Sequence, residues 1–179
     1  MGQMAQRILV IGNCGCGKST LARQLGQRTG LPVIHLDREY WQPGWVEPDK
    51  AEFIKRVEEL CQQDRWIIDG NYTSTLPQRL KRADMAIWLD FKPRIYVPRV
   101  FKRWISHGLR GQTRPDMAPG CPEKVDIEFL QWVLGWWSKR RPKMMAQWQD
   151  MPDHITRIRL KTPQELSEWL ASNTSLTSS

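Results

Sequence analysis

Eight consecutive residues near the start of the chain have the types and spacing needed to bind the phosphates of a nucleotide. The run Gly12-Asn13-Cys14-Gly15-Cys16-Gly17-Lys18-Ser19 matches the P-loop pattern G-x-x-x-x-G-K-[ST] at every fixed position. Glycines allow the backbone to turn successive N–H groups towards one anion, and a lysine here reaches the β- and γ-phosphates. A chance match in a glycine-rich turn is the alternative. The pattern predicts a nucleotide site made of Gly12, Asn13, Cys14, Gly15, Cys16, Gly17, Lys18, Ser19 and Thr20, in which Ser19 also binds Mg²⁺.

The elements around this motif alternate between short apolar strands and amphipathic helices. Strands are predicted at Arg7–Ile11, Pro32–Leu36, Trp66–Ile68, Met85–Leu89 and His154–Leu160. Helices are predicted at Lys18–Gln27, after the cap Asp49, at Leu76–Arg82, at Arg94–His107, at Asp126–Gln147 with a kink near Gly135 or Pro142, and after the cap Thr162. Such alternation predicts a parallel sheet covered on both faces. Ligands of such sheets bind beyond the carboxyl ends of the strands, which here are followed by Gly12–Ser19, Asp37, Asp69–Asn71 and Asp90.

Positive charge is concentrated in one segment. Seven of the 27 basic residues lie between Lys92 and Arg114, with no acidic residue among them, and the net charge of the whole chain is +8. Overlapping its end, Gly108–Glu123 is broken repeatedly by glycine and proline, which predicts an irregular excursion able to close over a nucleotide. Arginines that arrive on closure stabilise the charge of a transferred phosphoryl group. The catalytic candidates of this kind are Arg99 and Arg103, one helical turn apart, and Arg110 and Arg114; plain solvation is the alternative for each.

Three observations favour a kinase among the classes of P-loop protein. The chain has no Asn-Lys-x-Asp motif for reading guanine, and nothing between Ser19 and Asp69 is like a GTPase switch. Its 179 residues leave no room for a second ATPase subdomain. Two other classes remain open. A nucleic-acid-acting protein would use the basic segment to bind a phosphate backbone, although no helix-turn-helix or RRM pattern is present. A nucleotide sensor would bind ATP without catalysis.

Further motifs resemble a known family. His35-Leu36-Asp37, Trp66-Ile67-Ile68-Asp69-Gly70-Asn71-Tyr72 and Trp88-Leu89-Asp90, together with the P-loop, resemble the FlaR-like DNA topology modulation proteins, which are placed among the adenylate-kinase-like P-loop kinases. The resemblance covers roughly residues 8–144. It implies an α/β fold of three layers, with a mostly parallel five-stranded sheet of order 2-3-1-4-5 and a short lid at about 108–125. We expect one domain over 1–172 and a disordered tail over 173–179. The β-hairpin motifs of adenylate kinase lids are missing.

The resemblance also implies roles for single residues. Asp37 would accept the proton of the acceptor hydroxyl or help hold Mg²⁺ through water, and a turn cap is its alternative role. Asp69 matches the Walker B-like acidic residue, with a role towards Mg²⁺ or the acceptor. Arg79 matches an arginine that binds the acceptor phosphate, and a solvated helix face is its alternative. Asp90 has the same apolar-then-acidic form; we expect it to cap a helix, and a role towards the metal is its alternative.

Several neighbouring residues are candidates for contact with the acceptor. Gly70 permits close approach, and Asn71 and Tyr72 either touch the acceptor or serve only the turn. Trp41 and Trp45 flank Pro43-Gly44, and one of them could stack on a flat acceptor. The helical spacing of Trp132, Trp136 and Trp137 indicates core packing.

Composition sets the remaining expectations. No apolar run approaches the ~20 residues of a membrane-spanning helix, and the apolar stretch Ile8–Ile11 runs directly into the glycine loop rather than into a cleavage site. We therefore expect a cytoplasmic protein with free thiols, as a monomer or homodimer. Taken together, the sequence predicts a phosphotransferase that uses ATP and Mg²⁺ and acts on a small acceptor such as a nucleoside or nucleotide.

Overall fold

A single parallel sheet organises the chain. The computed structural model describes residues 5–107, 116–121 and 127–173. Its strands are β1 (Arg7–Gly12), β2 (Val33–His35), β3 (Trp66–Asp69), β4 (Met85–Leu89) and β5 (Thr156–Leu160). Their order is β2-β3-β1-β4-β5, and all four pairings are parallel. The predicted α/β fold with sheet order 2-3-1-4-5 is confirmed.

Helices connect the strands and cover both faces of the sheet. They are α1 (Lys18–Thr29), α2 (Leu36–Tyr40), α3 (Lys50–Cys61), α4 (Leu76–Leu80), α5 (Pro93–His107), α6 (Ile127–Gly135), α7 (Arg141–Gln149) and α8 (Pro163–Ser172). Over the described ranges, none of these helices has both the length and the apolarity to cross a membrane.

The apolar strands are buried on both faces because the sheet separates two hydrophobic clusters. In β1, Leu9 and Ile11 belong to one cluster and Ile8 and Val10 to the other, and all four are fully buried. Such alternation places β1 at the centre of the sheet, where its carboxyl end is surrounded by those of β3 and β4. The P-loop therefore follows directly on a buried central strand.

The predicted tryptophan-rich helix is interrupted where the sequence indicated a kink. Between α6 and α7 lies a π-helical turn, Trp136–Arg140. Pro142 stands in the first turn of α7. An N–H in the first turn has no acceptor within its own helix, so the missing N–H of proline removes no hydrogen bond of α7. Trp136 is buried as predicted, and Trp132 packs against both clusters. Trp137 differs from the prediction, since it is half-buried beneath the guanidinium of Arg141 at 4.3 Å.

Asp90 does not have the predicted role of a helix cap. Its carboxylate is buried and accepts hydrogen bonds from Arg141 (2.8 and 2.9 Å) and from Arg159 (3.0 and 2.6 Å). These bonds tie the end of β4 to α7 and β5. Two guanidinium partners compensate the cost of burying this charge, so Asp90 fastens the sheet to the helix beside the site.

Candidate active site

The P-loop has the backbone geometry of an anion site. It connects the end of β1 at Gly12 to the start of α1 at Lys18, and Gly15 and Gly17 have φ angles of 79° and 91°. A Cβ on Gly15 would lie 2.7 Å from the carbonyl oxygen of Tyr96 in α5, so the loop packs directly on that helix. Gly17 occupies the N-cap position of α1 and has no side chain to cap it. The first N–H groups of α1 and the positive end of its dipole therefore serve the loop centre.

The variable side chains of the P-loop hold the loop in place. Asn13 is 1% exposed; its Oδ1 accepts from the N–H of Cys14 at 2.7 Å, and its Nδ2 donates to the carbonyl of Val133 in α6 at 3.4 Å. Cys16 is buried, and burial raises the pKa of its thiol to about 11. Lys18 remains partly exposed and donates from Nζ to the carbonyl of Asn13 at 3.2 Å. Asn13 and Cys16 thus fix the loop, and Lys18 is available to a ligand.

A side-chain amide joins the P-loop to the loop after β3. Asn71 accepts from the N–H of Gly12 at 3.0 Å through Oδ1 and donates to the carbonyl of the same residue at 2.8 Å through Nδ2. Both polar groups of the Gly12 backbone are satisfied by one residue that lies 59 positions away in the sequence. The predicted contact of Asn71 with an acceptor stays a prediction, but its amide is already committed to fixing Gly12.

Arg79 is fully buried, which contradicts its interpretation as a solvated residue on a helix face. Its guanidinium donates to three successive carbonyls, those of Gly70 (2.9 Å), Asn71 (2.6 Å) and Tyr72 (3.0 Å). Burial lowers its pKa to about 10, which still leaves it charged at neutral pH. The predicted direct contact with the acceptor is corrected, since Arg79 lies behind the Gly70–Tyr72 loop and shapes it.

Two carboxylates predicted as functional are each oriented by a neighbour. Asp69 is 4% exposed, and its Oδ1 lies 2.7 Å from Nδ1 of His35 on the adjacent strand. Asp37 falls in the first turn of α2, because β2 ends at His35, and its Oδ1 accepts from the hydroxyl of Tyr72 at 2.8 Å. Burial and the nearby carboxylate of Asp37 raise the pKa of Tyr72, so its hydroxyl stays protonated and donates. The partners His35 and Tyr72 act on these carboxylates across 34 and 35 residues of sequence.

Aromatic side chains surround Asp37. The ring of Tyr40 lies 5.0 Å from Trp41, 4.8 Å from Phe53 and 4.8 Å from Tyr72, measured between centroids. Tyr72 has a φ angle of 20°, an unusual value for a residue with a side chain, and the Arg79 hydrogen bonds hold it there. These rings form an aromatic frame, and the hydroxyl of Tyr72 connects it to the Asp37 carboxylate.

A turn beside this frame supports part of the predicted lid. Trp41 and Trp45 pack against Met117, Ala118 and Cys121. The N–H of Gly44 donates to the carbonyl of Gly120 at 3.0 Å, and the thiol of Cys121 donates to the carbonyl of Gln42 at 3.2 Å. The 116–121 segment of the predicted lid is therefore anchored to the turn that carries both tryptophans.

These features meet at one cavity of about 1070 Å³. The predicted site residues that line it are Cys14, Lys18, Asp37, Trp41, Gly70, Asn71, Tyr72 and Arg103. Pockets for single ligands are usually about 300–1,000 Å³, so the cavity has room for more than one small molecule. The P-loop lysine and the Asp37 carboxylate thus face the same space.

The predicted arginines of the lid are not equivalent. Arg103 lines the cavity and donates from Nη2 to Sγ of Cys14 at 3.2 Å. Arg99 is exposed, lies 5.9 Å from the ring centroid of Phe91 and does not line the cavity. The structure therefore does not bring Arg99 and Arg103 together on the cavity as predicted. Arg110 and Arg114 lie outside the described residues.

The sequence interpretation missed three cations on the wall of the cavity formed by the π-helical turn and α7. Lys139, Arg140 and Lys143, here called the basic row, line it together with Trp132 and Trp136. The guanidinium of Arg140 lies 5.3 Å from the ring centroid of Trp132. The helical spacing of these basic residues from Trp132 and Trp136 is a sequence signal for this wall. The prediction from this segment concerned only the core packing of the tryptophans.

Comparisons with known proteins bear on the fold. No protein-family model and no curated protein sequence matches the chain. Similar solved structures include a shikimate kinase from Acinetobacter baumannii in complex with shikimate, with 17% identity, a TM-score of 0.56 and 94% of each chain covered.

Two other similar structures are of kinases with different acceptors in their names. An unliganded sugar kinase from Janibacter sp. HTCC2649 has 15% identity and a TM-score of 0.53, with 98% of this chain and 100% of that chain covered. A gluconokinase from Sinorhizobium meliloti 1021 has 14% identity and a TM-score of 0.51, with 95% and 94% covered. At such low identities the likeness is one of fold, and the fold shown is that of the P-loop kinases.

Proposed function

We propose that the protein is an ATP-dependent phosphotransferase that transfers the γ-phosphoryl group to a hydroxyl of a small acceptor. One observation carries the proposal: Lys18 of the P-loop and Asp37 line the same cavity of about 1070 Å³. A phosphate donor held at Lys18 and an acceptor held at Asp37 would share a space closed on the sheet side. Phosphoryl transfer depends on such positioning and on charge stabilisation.

The donor end of the cavity fits ATP with Mg²⁺. The left-handed glycines and the uncapped start of α1 suit the phosphates. Ser19, in the first turn of α1, is partly exposed, and the Asp69 carboxylate lies on the neighbouring strand. A hydroxyl, a carboxylate and phosphate oxygens are ligands that Mg²⁺ takes. When bound, the ion would neutralise charge on the phosphates, with Ser19 as a direct ligand and Asp69 acting directly or through water.

The acceptor end supplies a base and a frame. Asp37 would accept the proton of the attacking hydroxyl as the new O–P bond forms and the bond to the leaving ADP breaks. The Tyr72 hydroxyl holds the carboxylate, and Arg79 holds Tyr72, so Arg79 is a positioning residue. Lys18 and Arg103 would stabilise the charge on the transferred group.

The acceptor class follows from the resemblance and the fold neighbours. The resemblance to FlaR-like proteins within the adenylate-kinase-like kinases favours a nucleoside or nucleotide, and we propose membership of that group. The similar solved structures are named for shikimate, sugars and gluconate, which are small hydroxylated molecules. Trp41 beside Asp37 would suit a flat acceptor.

The test is ATP consumption with Mg²⁺ against a panel of nucleosides, nucleotides, sugars and small hydroxy acids, with duplex DNA as a further sample. Stimulation by one small acceptor, with formation of its phosphorylated product and ADP, is the expected result. The Lys18→Ala variant serves as the control for contaminating activity. Stimulation by DNA alone, with release of free phosphate, would contradict the proposal and favour an ATPase acting on DNA.

A further inference from the structure

The lining of the cavity carries an excess of positive charge. Five cationic side chains line the cavity, against two anionic ones. The cations are Lys18, Arg103, Lys139, Arg140 and Lys143, and the anions are Asp37 and Glu47. Lys18 and Arg103 lie at the P-loop, where the phosphates of a nucleotide would bind. The basic row is additional charge on a different element, and within the described ranges no carboxylate forms an ion pair with it.

The basic row continues a helix face that begins at the P-loop. The carbonyl of Val133 accepts from Asn13, which fixes one end of this face. Lys139 follows Val133 by six residues and Lys143 by ten, so both lie further along these helical segments than that contact. Lys143 is thus at the far end of the face, beyond the place where the P-loop holds phosphate.

The basic row extends over the end of the π-helical turn and the first turn of α7. Here two adjacent residues, Lys139 and Arg140, line the cavity at the end of that turn, and Lys143 follows one α-helical turn later. The guanidinium of Arg140 lies over the ring of Trp132, 5.3 Å from its centroid, and this cation–π contact orients it.

We propose that the basic row is a second anion subsite, which binds a phosphate or carboxylate group carried by the acceptor. The acceptor would then lie between Asp37 and the basic row, with its reacting hydroxyl towards Asp37 and its anionic group towards Lys143. This inference extends the proposed phosphotransferase function by naming the charge of its acceptor, but the subsite itself is a property of binding. It predicts discrimination between molecules that differ only in the anionic group.

Matched pairs of probes test the subsite without requiring turnover. With the P-loop filled by a non-hydrolysable ATP analogue and Mg²⁺, isothermal titration would compare adenosine with adenosine 5′-monophosphate, ribose with ribose 5-phosphate, and glucose with glucuronate. We expect the anionic member of at least one pair to bind 10-fold or more tightly than its partner. A response from the first two pairs indicates a phosphate, and one from the third pair a carboxylate.

The variant Lys143→Ala should reduce that preference to less than 2-fold, while the affinity for the ATP analogue changes by less than 2-fold. Lys143 is exposed, so the fold should be retained, as checked by the melting temperature. Lys55→Ala, an exposed lysine of α3 that does not line the cavity, is the matched control and should keep the preference.

Three results would overturn the subsite: no anionic probe binds, the preference survives in Lys143→Ala, or that variant weakens the ATP analogue instead. The last result would assign the basic row to the donor phosphates. If only uncharged acceptors are phosphorylated in the ATP-consumption panel, the kinase reaction stands and the subsite fails. If the anionic probes bind as expected and no acceptor is phosphorylated, the proposed reaction fails and the subsite stands.

Discussion

The phosphate end and the acceptor end of the cavity are held by different parts of the chain. At the phosphate end, the backbone of one short segment provides the anion site, with glycine conformations at Gly15 and Gly17 and the start of α1. At the acceptor end, contacts between distant segments hold the site: Tyr72 with Asp37, and Arg79 with three carbonyls. His35 holds Asp69 in the same way between the two ends. The first region depends on local backbone geometry and the second on long-range contacts, so single substitutions should affect them differently.

The largest effect on turnover is expected at the phosphate end. Lys18→Ala removes the one long cation of the P-loop, and turnover should fall by ~10³-fold or more, because its charge stabilises the transferred phosphoryl group. The free energy of unfolding should hardly change, since the Lys18 amine bonds only one backbone carbonyl among the described contacts. Steady-state ATP consumption and urea unfolding would measure the two quantities. A variant that unfolds would contradict the view that backbone, rather than side chains, builds this end.

At the acceptor end, Arg79→Met should lower the free energy of unfolding, which Lys18→Ala should hardly change. Removing the guanidinium leaves the carbonyls of Gly70, Asn71 and Tyr72 without their buried donor, and the free energy of unfolding should fall by about 3 kcal/mol. Arg82→Met is the matched control on the same segment. Arg82 is partly exposed and pairs with the exposed Asp64 at 3.6 Å, so its loss should cost about 1 kcal/mol or less. Equal losses in urea unfolding would refute the positioning role of Arg79.

Asp69 lies between the two ends and tests both. Asp69→Asn keeps the size of the side chain and removes its charge, so turnover should fall by ~10²-fold while the Kd for ATP changes only a few-fold. Asp64→Asn, at a carboxylate whose side chain is 97% exposed, should leave both quantities unchanged. Retained turnover in Asp69→Asn would show that this carboxylate only anchors His35.

A smaller effect is expected where one hydrogen bond is removed at the acceptor end. Tyr72→Phe removes the bond to the Asp37 carboxylate, and turnover should fall by ~10-fold, since a hydrogen bond to a charged group contributes about 1.5–3 kcal/mol. A double-mutant cycle with Asp37→Asn isolates the pair. If Tyr72→Phe lowers turnover equally in both backgrounds, Tyr72 acts on something other than Asp37.

The smallest effect concerns the ion pair of Arg7 and Asp84, which lies at the amino-terminal ends of β1 and β4, away from the cavity. Burial acts to raise the pKa of Asp84, but hydrogen bonds from Arg7 and from the N–H groups of Gln6 and Arg7 hold it below its usual value. The pair therefore stabilises the fold above the unfolded pKa of about 3.9, and this stabilisation is lost as the pH falls towards the folded pKa.

Asp84→Asn should lower the free energy of unfolding by about 1 kcal/mol at pH 7, a small effect because both side chains are about 30% exposed. The loss should be smaller at pH 3, where the carboxylate of the original protein becomes protonated. Urea unfolding at the two pH values measures this, and turnover at pH 7 should not change. A change in turnover would mean that the site depends on more of the sheet than its carboxyl edge.

The same contrast decides what the sequence could predict. The strand, glycine loop and helix around Lys18 are encoded within about twenty consecutive residues, so their pattern was sufficient. The sheet order came from the family resemblance rather than from spacing. Asp37 and Asp69 were found because acidic residues after apolar strands are a recognisable pattern, but their partners Tyr72 and His35 were not assigned, because each contact spans more than thirty residues.

Arg79 and the basic row show two different reasons why other parts of the site were not predicted. An arginine on a short helix is usually solvated, and nothing local indicates that three carbonyls will surround its guanidinium. Lys139 and Arg140 lie at the end of the π-helical turn and line the cavity. A helical period in the sequence does not indicate which face of a helix meets a cavity.

The amide of Asn71 has a consequence for the timing of the reaction. Because it bonds both the N–H and the C=O of Gly12, a displacement of the Gly70–Tyr72 loop carries the start of the P-loop with it. Donor and acceptor would then move as one body under thermal motion, and their separation would vary less than either position does. The cost of fixing the two sites relative to each other would thus arise once, when the chain folds, whereas each bound molecule still loses its own translational freedom at every turnover.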